Sequence, residues 1–197
     1  MEPRSPQVSV ISVPAAGDEA DVLALSRIAA GSRAALDEMY RRYYPRLMDF
    51  LGRILSQREL AEEIVNDTMY TVWTAGASFA GRSKVSTWIF GIAYKKALKR
   101  LSRDRRHAAE PLDDSSELAS EQDPTGDVDE AELRSALERA LTRLSPAHRS
   151  VVELTYLLDY SYVEISGIVG CPVNTVKTRM FHARAHLRRL LSALLGK

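Results

Sequence analysis

Residues 161–180 read SYVEISGIVGCPVNTVKTRM, and this stretch decides the fold of the second half of the chain. Ser161 can accept a hydrogen bond from the first turn of a short apolar helix. Gly170 supplies a residue that turns at positive φ, and Pro172 suits the first position of the helix that follows. Two helices joined by a short turn that contains glycine are typical of a helix-turn-helix, whose second helix enters the major groove of DNA.

The second helix of this motif has an apolar side and a basic side. Its apolar residues recur at helical spacing from Val176 to Leu191. We expect it to expose the cationic and histidine side chains Lys177, Arg179, His182, Arg184, Arg188 and Arg189. The polar side chains of its first turns are placed to reach base edges, and these are Asn174, Thr175 and Thr178.

Charge is distributed unevenly along the 197 residues, although the net charge is only +1. Nine basic residues and one acid lie in 82–106, ten acids and no Lys or Arg lie in 107–132, and six basic residues without an acid lie in 172–197. The near-neutral total is therefore a cancellation between segments. A solvated helix face or an ordinary helical hairpin is the simpler explanation of a basic segment, but neither requires so one-sided a charge.

The same pattern predicts the domain organisation. The acidic segment is poor in apolar residues and contains prolines, so it predicts a flexible linker over 107–127. Residues 1–20 have a similar composition and predict a disordered N-terminal tail. Helical domains are predicted at 21–106 and 128–197. We therefore expect an all-α protein with two small helical domains joined by a flexible acidic linker.

In the first domain, apolar residues at three- and four-residue steps predict helices over about 58–76 and 85–104, joined by a loop at 76–84. In an earlier helix, Pro45 is expected to introduce a kink or a break. Phe79, in the glycine- and serine-rich loop, has the chemistry to stack on an unpaired base. The third helix carries a basic side that we interpret as a nucleic-acid contact, formed by Lys95, Lys96, Lys99, Arg100 and Arg103.

No arrangement of residues in the sequence indicates an enzyme, a metal site or a cofactor. There is no glycine-rich phosphate loop and no nucleophile elbow. His182 and His186 lie four residues apart, but no carboxylate accompanies them. The single cysteine, Cys171, excludes an intramolecular disulfide, and no apolar run approaches the roughly 20 residues that cross a bilayer. We predict a cytoplasmic protein without membrane insertion.

Four motifs occur in a fixed order. Residues 61–73 read AEEIVNDTMYTVW, and residues 79–93 read FAGRSKVSTWIFGIA. LSPAHR at 144–149 and YVEI at 162–165 precede the glycine turn. Over about residues 21–195 the chain resembles the bacterial extracytoplasmic-function (ECF) RNA polymerase sigma factors. The resemblance implies an alternative sigma factor that binds core RNA polymerase, reads the −35 and −10 elements of promoters and assists promoter melting.

The resemblance also implies three sets of contact residues. The set that binds the β′ clamp helices of core polymerase is Glu62, Glu63, Asn66, Asp67, Met69, Tyr70 and Trp73. The set that binds and melts the −10 element is Phe79, Arg82, Ser83, Lys84, Trp88, Lys95, Lys99, Arg100 and Arg103. The set that binds the −35 element is Asn174, Thr175, Lys177, Thr178, Arg179, Phe181, His182 and Arg184.

Further partners follow from the resemblance. They are the β flap of polymerase, promoter DNA and, in a stress response, an anti-sigma factor. The chain is expected to be a monomer when free of partners. The predicted linker would let the two domains reach DNA elements about one to two helical turns apart. The alternative hypothesis is a dimeric helix-turn-helix repressor or activator, which would bind its operator tightly without polymerase.

Overall fold

The structure, a computed structural model, describes residues 16–55, 57–108 and 130–194. These residues contain α-helices and a 3-10 turn but no strand, which confirms the predicted all-α fold. The helices are α1 (Ala16–Ala29), α2 (Arg33–Ile54), α3 (Arg58–Ala75), α4 (Val85–Ala108), α5 (Glu130–Thr142), α6 (Pro146–Tyr156), α7 (Tyr162–Val169) and α8 (Val173–Leu194). The 3-10 turn, Gly76–Ser78, lies between α3 and α4.

Helix α2 is the central helix of the first half of the chain. The Ser32 hydroxyl accepts a hydrogen bond from the backbone N–H of Ala35 at 3.3 Å, which caps its start. Helices α1, α3 and α4 all pack against α2. Its buried side chains recur at helical spacing and are Ala35, Met39, Tyr43, Leu47, Phe50, Leu51 and Ile54. This bundle fixes which sides of α3 and α4 face solvent.

Pro45 lies within α2 and does not end it. The sequence predicts an interruption there, but α2 runs on to Ile54. Pro45 is exposed, so water can reach the carbonyl that loses its hydrogen bond to the proline nitrogen. Tyr43 and Leu47, both fully buried, hold the helix against the core on either side of Pro45. Packing therefore outweighs the helix-breaking tendency of proline at this position.

Helix α1 begins at Ala16, inside the segment predicted to be a disordered tail. The prediction is wrong for residues 16–20, because an acid of this segment has a partner elsewhere in the fold. The Asp18 carboxylate accepts a hydrogen bond from the backbone N–H of Val85 at 3.0 Å, and so caps the first turn of α4. The predicted tail before residue 16 lies outside the described residues, as does the predicted linker beyond residue 108.

A buried carboxylate connects α1 to α2. Asp21 is 5% exposed, and it accepts hydrogen bonds from the Tyr43 hydroxyl and the Arg42 guanidinium. Burial, together with the hydrogen bond to Asp21, raises the pKa of Tyr43 far above its ordinary value. A carboxylate at this depth requires such donors, since an unpartnered charge there would be strongly destabilising. Asp21 therefore fixes α1 on the first-half bundle.

Helices α5 to α8 form the second half, and this half packs directly on the first. Helix α7 lies against α4, and α6 lies against α2. The buried apolar side chains of both halves form one continuous cluster. The Phe90 ring of α4 meets the Tyr160 ring edge-on, with centroids 5.5 Å apart. Sequence reasoning did not anticipate this contact between the halves.

Candidate nucleic-acid interface

The turn between α7 and α8 has the geometry of a helix-turn-helix. The Ser161 hydroxyl accepts a hydrogen bond from the Glu164 N–H at 3.3 Å, and the Glu164 carboxylate accepts one from the Ser161 N–H at 2.8 Å. These reciprocal bonds form a capping box at the start of α7. Gly170 ends α7 in the left-handed region, at φ 69° and ψ 35°, where glycine is free of steric strain. The structure therefore has the helix cap at Ser161 and the turn at Gly170 that the sequence predicts.

The first half of α8 presents a polar face that includes one exposed ring. Val176, Met180 and Ala183 are buried, which turns the intervening positions outward. The Phe181 side chain is 70% exposed. The other exposed members of the predicted −35 set on these turns are Asn174, Lys177, Thr178 and His182, and Thr175 is half-buried. Because this face carries cations and no acid, it is electrostatically suited to a phosphate backbone.

Two arginines of the predicted −35 set lie near aromatic residues of other helices, and one of them is hydrogen-bonded there. Arg184 donates hydrogen bonds from Nε and Nη2 to the Tyr156 hydroxyl at 2.9 and 2.6 Å, and its guanidinium lies 5.6 Å from the centre of the Tyr156 ring. Arg179 is half-buried and lies close to Tyr94 of α4. Burial raises the pKa of Tyr94, and the positive charge of Arg179 opposes that rise. The Arg184 guanidinium must therefore exchange its hydrogen bonds with Tyr156 before it can contact DNA.

Part of the basic side of α4 is engaged with α3. Lys96 Nζ lies 3.7 Å from an Asp67 carboxylate oxygen, and Arg100 Nη1 lies 3.7 Å from Glu63. The two acids belong to the predicted polymerase set, and Arg100 belongs to the predicted −10 set. Surface ion pairs of this kind contribute only about 0–1 kcal/mol, so either member can exchange its partner for a ligand.

The rest of the basic side of α4 points into solvent. Lys95, Lys99 and Arg103 are exposed at four-residue spacing. In the part of the chain that the structure describes, no acid lies within ion-pair distance of Lys95 or Lys99. A row of unpaired cations along one helix is the footprint expected of a phosphate contact.

The loop at 76–84 places an aromatic pair beside exposed polar residues. The Phe79 ring packs on Trp88 of α4 with centroids 5.4 Å apart and an interplanar angle of 52°. Both rings are half-buried, whereas Arg82 and Ser83 are exposed. Gly81 has φ 66°, a conformation that bends the loop and that other residues rarely adopt. The loop thus offers a ring edge and hydrogen-bonding groups at one place.

Lys84, at the end of this loop, contacts the second half of the chain. Its Nζ lies 2.7 Å from a Glu164 carboxylate oxygen on α7. Burial opposes ionisation of Glu164, but hydrogen bonds from Lys84 and Ser161 outweigh it, so the pKa of Glu164 lies below its ordinary value. Lys84, predicted to bind the −10 element, is therefore occupied by α7 in this structure.

The predicted polymerase-binding residues of α3 divide between two faces. Tyr70 is 68% exposed, and Glu63, Asn66 and Asp67 are exposed as well. Met69 is only 3% exposed. It lies on the core face because it follows Val65 by four residues and precedes Val72 by three, and both valines are fully buried. A buried side chain offers no surface to a partner, so Met69 does not belong to the contact set.

The remaining two members, Glu62 and Trp73, are half-buried. Glu62 is within 3.2 Å of Arg58 Nε and accepts a hydrogen bond from the Tyr44 hydroxyl at 3.4 Å. The Asn66 side-chain oxygen accepts a hydrogen bond from the Tyr40 hydroxyl at 2.9 Å. Tyrosines of α2 therefore orient the polar side of α3, leaving the Tyr70 ring as its most prominent apolar group.

A groove that sequence reasoning missed lies between α5, α6 and the second half of α8. Its volume is about 760 Å³. Its apolar walls are formed by Leu137, Leu141, Val152, Tyr156, Leu157, Leu187 and Leu191. Its charged lining residues are Arg53, Arg134, Arg184, Arg188, Glu138 and Glu153, of which Glu153 is buried. The available signal was the apolar stripe of α5, which is wider than one buried face requires and includes the exposed Leu137.

Two further properties concern the described residues as a whole. None of their helices combines the length and the apolar character needed to cross a bilayer. Across the same ranges, no three His, Cys, Asp or Glu side chains come together as a metal site would require. The His148 and His182 rings lie near each other, with centroids 6.3 Å apart and a tilted arrangement.

Comparison with known proteins matches the two halves to two regions of one family. Sigma-70 region 2 matches residues 39–107, and sigma-70 region 4 matches residues 134–187. The ECF RNA polymerase sigma factor RpoE of Cereibacter sphaeroides is 33% identical over 179 residues, covering 89% of this chain and 97% of that protein. The ECF RNA polymerase sigma factor SigM of Mycobacterium tuberculosis is 33% identical over 178 residues, covering 90% of this chain and 87% of that protein.

Solved structures share the fold. CnrH, in its complex with the cytosolic domain of CnrY, superposes with a TM-score of 0.65 at 24% identity, covering 88% of this chain and 98% of that chain. RpoE of Bartonella quintana, in complex with the anti-sigma factor NepR, gives a TM-score of 0.61 at 24% identity, covering 79% and 96%. A repressor or activator that acts without polymerase is not favoured, since a sigma region also accounts for the first half. With both regions in order and relatives matched over most of their length, the chain belongs to the ECF RNA polymerase sigma factors, the regulatory subunits that direct RNA polymerase to promoters.

Proposed function

We propose that this sigma factor reads the −10 element with the loop at 76–84 and α4, and the −35 element with the first half of α8. The observation that carries this division is the pair of outward basic faces, one on each half of the chain. Lys95 and Lys99 are exposed without acidic partners among the described residues, and Lys177 lies on an acid-free face of α8. Phosphate contacts from these faces would position the protein, and neighbouring side chains would read bases.

On α8 the proposed readers combine hydrogen bonding with apolar contact. Asn174 and Thr178 lie one turn apart on the exposed face, and the Thr178 hydroxyl donates to the Asn174 carbonyl at 3.0 Å. Asn side chains pair well with adenine in the major groove, and an exposed ring such as Phe181 suits the methyl group of thymine. This combination favours a −35 element that contains A·T pairs.

Promoter melting is assigned to the loop at 76–84. Opening a duplex without ATP requires unstacked bases to be captured, and stacking of a base on an aromatic ring is worth about 1–3 kcal/mol. Phe79 and Trp88 form a half-buried aromatic pair at this loop. Arg82 and Ser83 beside them are exposed and can donate hydrogen bonds to a displaced strand. An extruded base would find both a ring and polar partners here.

We assign the outer face of α3 to core polymerase. Tyr70, Asn66, Asp67 and Glu63 would meet the β′ clamp helices, with the exposed Tyr70 ring as the apolar anchor. The groove between α5, α6 and α8 is assigned to the β flap, because a groove of about 760 Å³ with apolar walls accommodates the apolar side of a helix. These two surfaces lie on different halves of the chain.

An anti-sigma factor is a further proposed partner. The comparison proteins were each solved with a protein partner, RpoE of Bartonella quintana with the anti-sigma factor NepR and CnrH with the cytosolic domain of CnrY. A partner that covers the α3 face or the groove would keep polymerase away from this chain. Because the chain would bind polymerase, we also assign it to the cytoplasm. We expect it to act as a monomer, since one copy carries all of the proposed surfaces.

Run-off transcription with core polymerase tests the assignment of α8. The Lys177→Ala, Thr178→Ala double variant should lower transcription from a −35-dependent cognate promoter by about tenfold. Its binding to core polymerase should stay within about twofold, because the proposed polymerase surfaces are untouched. Arg189→Ala is the matched control, since it removes an exposed cation from the same helix outside the proposed reading set. Unchanged transcription from the double variant would show that this face does not read the promoter.

A further inference from the structure

Helix α4 takes the cap of its first turn from another helix. It begins at Val85, so Lys84 holds the capping position, and a lysine side chain has no acceptor for the unpaired N–H groups there. The Ser83 hydroxyl, one residue earlier, donates to the Lys84 carbonyl at 3.2 Å. The group that accepts from Val85 N–H, at 3.0 Å, is the carboxylate of Asp18 on α1. The last residue of the loop at 76–84 therefore leads into a helix whose start depends on α1.

The other end of the loop also rests on α1, which packs against the 3-10 turn. A β-carbon at Gly76, where α3 ends, would lie 3.1 Å from Leu25 Cδ1 and 3.7 Å from Ile28 Cγ2. Leu25 and Ile28 are 3% and 2% exposed, and Gly76 is buried beneath them. The Phe79 N–H donates to the Gly76 carbonyl at 3.2 Å. The two α1 side chains therefore fix the residue from which the chain turns towards Phe79.

Both contacts lie on one face of α1. Asp18 and Leu25 are seven residues apart, which is two helical turns, or about 10.5 Å along the axis. Asp21 lies between them on the same face, and it is buried and hydrogen-bonded to Tyr43 and Arg42 of α2. Helix α1 is thus fixed on α2 and connects both ends of the loop to the first-half bundle.

Between its two ends the loop is open to solvent. Residues 80–83 are all exposed. In the part of the chain that the structure describes, no backbone–backbone hydrogen bond joins residues 80–83 to another segment. Beyond the packing of Phe79 on Trp88, the position of this segment depends on its two ends. Loss of an end contact would let the loop sample more conformations, which would have to be ordered again when bases bind.

We propose that α1 positions the loop at 76–84 for the −10 element, with Asp18 and Leu25 as the positioning residues of its two ends. This role rests on the proposed function of the loop in reading and melting that element. Sigma-70 region 2 matches the chain only from residue 39, so α1 lies outside it, and none of the predicted contact sets includes an α1 residue. Neither residue contacts DNA in this role. Each holds the loop in the conformation that captures bases.

A ratio of transcription from two promoters tests the proposal. Run-off transcription with core polymerase compares the cognate promoter with one substituted in the −10 element, and we call the result the −10 ratio. Asp18→Ala should lower the −10 ratio by about fivefold, because the energy of a lost helix cap corresponds to about that factor in affinity. The equivalent ratio for a substituted −35 element should stay within about twofold. A variant that is only less stable lowers transcription from all promoters alike and changes neither ratio.

Two substitutions in the first turns of α1 provide matched comparisons. Asp18→Asn keeps an acceptor for Val85 N–H, and asparagine caps a helix as well as aspartate, so the −10 ratio should match the wild type. Glu19→Ala removes an exposed acid beside Asp18 and should leave the ratio unchanged as well. If Asp18→Asn loses as much as Asp18→Ala, the negative charge rather than the cap is responsible, and the proposal is wrong.

Leu25→Ala tests the other end of the loop. It removes the side chain that covers Gly76, so the −10 ratio should fall here too. Leu51→Ala is the matched control, since it removes a fully buried leucine of α2 about two turns beyond Tyr43, the residue that meets α1. Leu51→Ala should lower the melting temperature and leave the −10 ratio unchanged. Thermal unfolding establishes that both variants are folded at the assay temperature, and equal −10 ratios in the two would contradict positioning by α1.

Failure of the proposed function gives a different result. The Arg82→Ala, Ser83→Ala double variant changes the loop itself, so it must lower the −10 ratio if the loop reads that element. A wild-type ratio in this variant would show that the loop assignment is wrong, and positioning by α1 would fail with it. A lowered ratio in the loop variant, together with a wild-type ratio in Asp18→Ala, would overturn the positioning role alone.

Discussion

The Glu153 carboxylate of α6 lies 3.6 Å from Arg53 Nε of α2, which joins the two halves of the chain through a buried charge. Glu153 is 1% exposed, and Arg149 Nε on its own helix is also 3.6 Å away. Burial raises the pKa of Glu153 even though both arginines lower it. Burial likewise lowers the pKa of Arg149, against the effect of Glu153. Desolvation thus dominates this cluster over the attraction between its charges.

We predict a pH-dependent stability that originates in Glu153. The pKa of Glu153 in the folded chain lies above the ordinary value of 4.5. Between the ordinary pKa and the folded pKa, the folded chain therefore keeps a proton that the unfolded chain has released. The contribution of Glu153 to the free energy of unfolding is therefore largest below about pH 4.5 and declines as the pH rises through the folded pKa. Glu153→Gln removes this decline, so the variant should gain stability relative to wild type as the pH rises.

Urea unfolding from about pH 4.5 to 8 measures this difference. Glu138→Gln, which removes an exposed carboxylate from α5, is the control and should track the wild type. A difference between wild type and Glu153→Gln that stays constant over the whole range would contradict the prediction.

Tyr43→Phe should lower the free energy of unfolding by about 1–3 kcal/mol, because the buried Asp21 loses a hydrogen-bond donor. Tyr44→Phe makes the same chemical change on the same helix. Its hydroxyl is 3.4 Å from the half-buried Glu62, so we expect a smaller loss. Denaturant unfolding compares the two, and equal losses would mean that burial of the acceptor does not matter.

The Lys95→Ala, Lys99→Ala double variant should weaken promoter binding by the holoenzyme in a salt-dependent way. Each lost phosphate contact lowers the slope of log affinity against log salt by about 1, so the pair should lower it by about 2. Fluorescence anisotropy over a series of salt concentrations measures the slope. Arg41→Ala, which removes an exposed cation from α2, should leave it unchanged. A slope that both variants share with the wild type argues against phosphate contact by α4.

Leu137→Glu should weaken the proposed binding of the β flap in the groove, since it places a charge in the apolar wall. We expect about a tenfold loss of −35-dependent transcription with the fold intact, because Leu137 is already 40% exposed. Leu133→Glu is the matched control, since Leu133 is a 45% exposed leucine of the same helix that does not line the groove. Run-off assays and circular dichroism of both variants separate function from folding. The groove assignment fails if the two variants behave alike.

Gly170→Ala should destabilise the second half by about 1–2 kcal/mol, because alanine is strained at φ 69°. Nothing lies within 4 Å of a β-carbon at that position, so the loss measures the backbone alone. Gly52→Ala, with equal space inside α2, should stabilise the chain by about 1 kcal/mol. Thermal unfolding measures both changes in stability, and we expect them to have opposite signs.

Much of the fold could be predicted from signals between residues that lie close together in the sequence. Ser161 and Gly170 act as cap and turn where the sequence predicts them, since a cap depends on residues within one helical turn. The basic faces of α4 and α8 also follow from periodicity alone. A sequence motif does not by itself show which of its residues are buried. Met69 belongs to such a motif, and only its spacing from Val65 and Val72 places it on the inner face of α3.

Local sequence patterns did not predict the contacts between residues that lie far apart in the chain. Asp18 caps α4 through Val85, which is 67 residues away. Lys84 and Glu164, whose contact joins the halves, belong to segments that composition treats as independent. The groove is built by three helices, so no single periodicity outlines it. Periodicity identifies a buried face but not the helix that covers it.

Arg184 belongs to two surfaces, since it lines the groove and stands on the helix assigned to the promoter. Its guanidinium is held by the hydroxyl of Tyr156, another residue of the groove. A ligand in the groove and a phosphate at α8 therefore draw on the same donors. Affinities that share a side chain are linked, and each ligand alters the other by the same factor. From the proposed roles of the groove and of α8, we therefore expect promoter preference to be a property of the holoenzyme, so that α8 studied by itself would show a different preference.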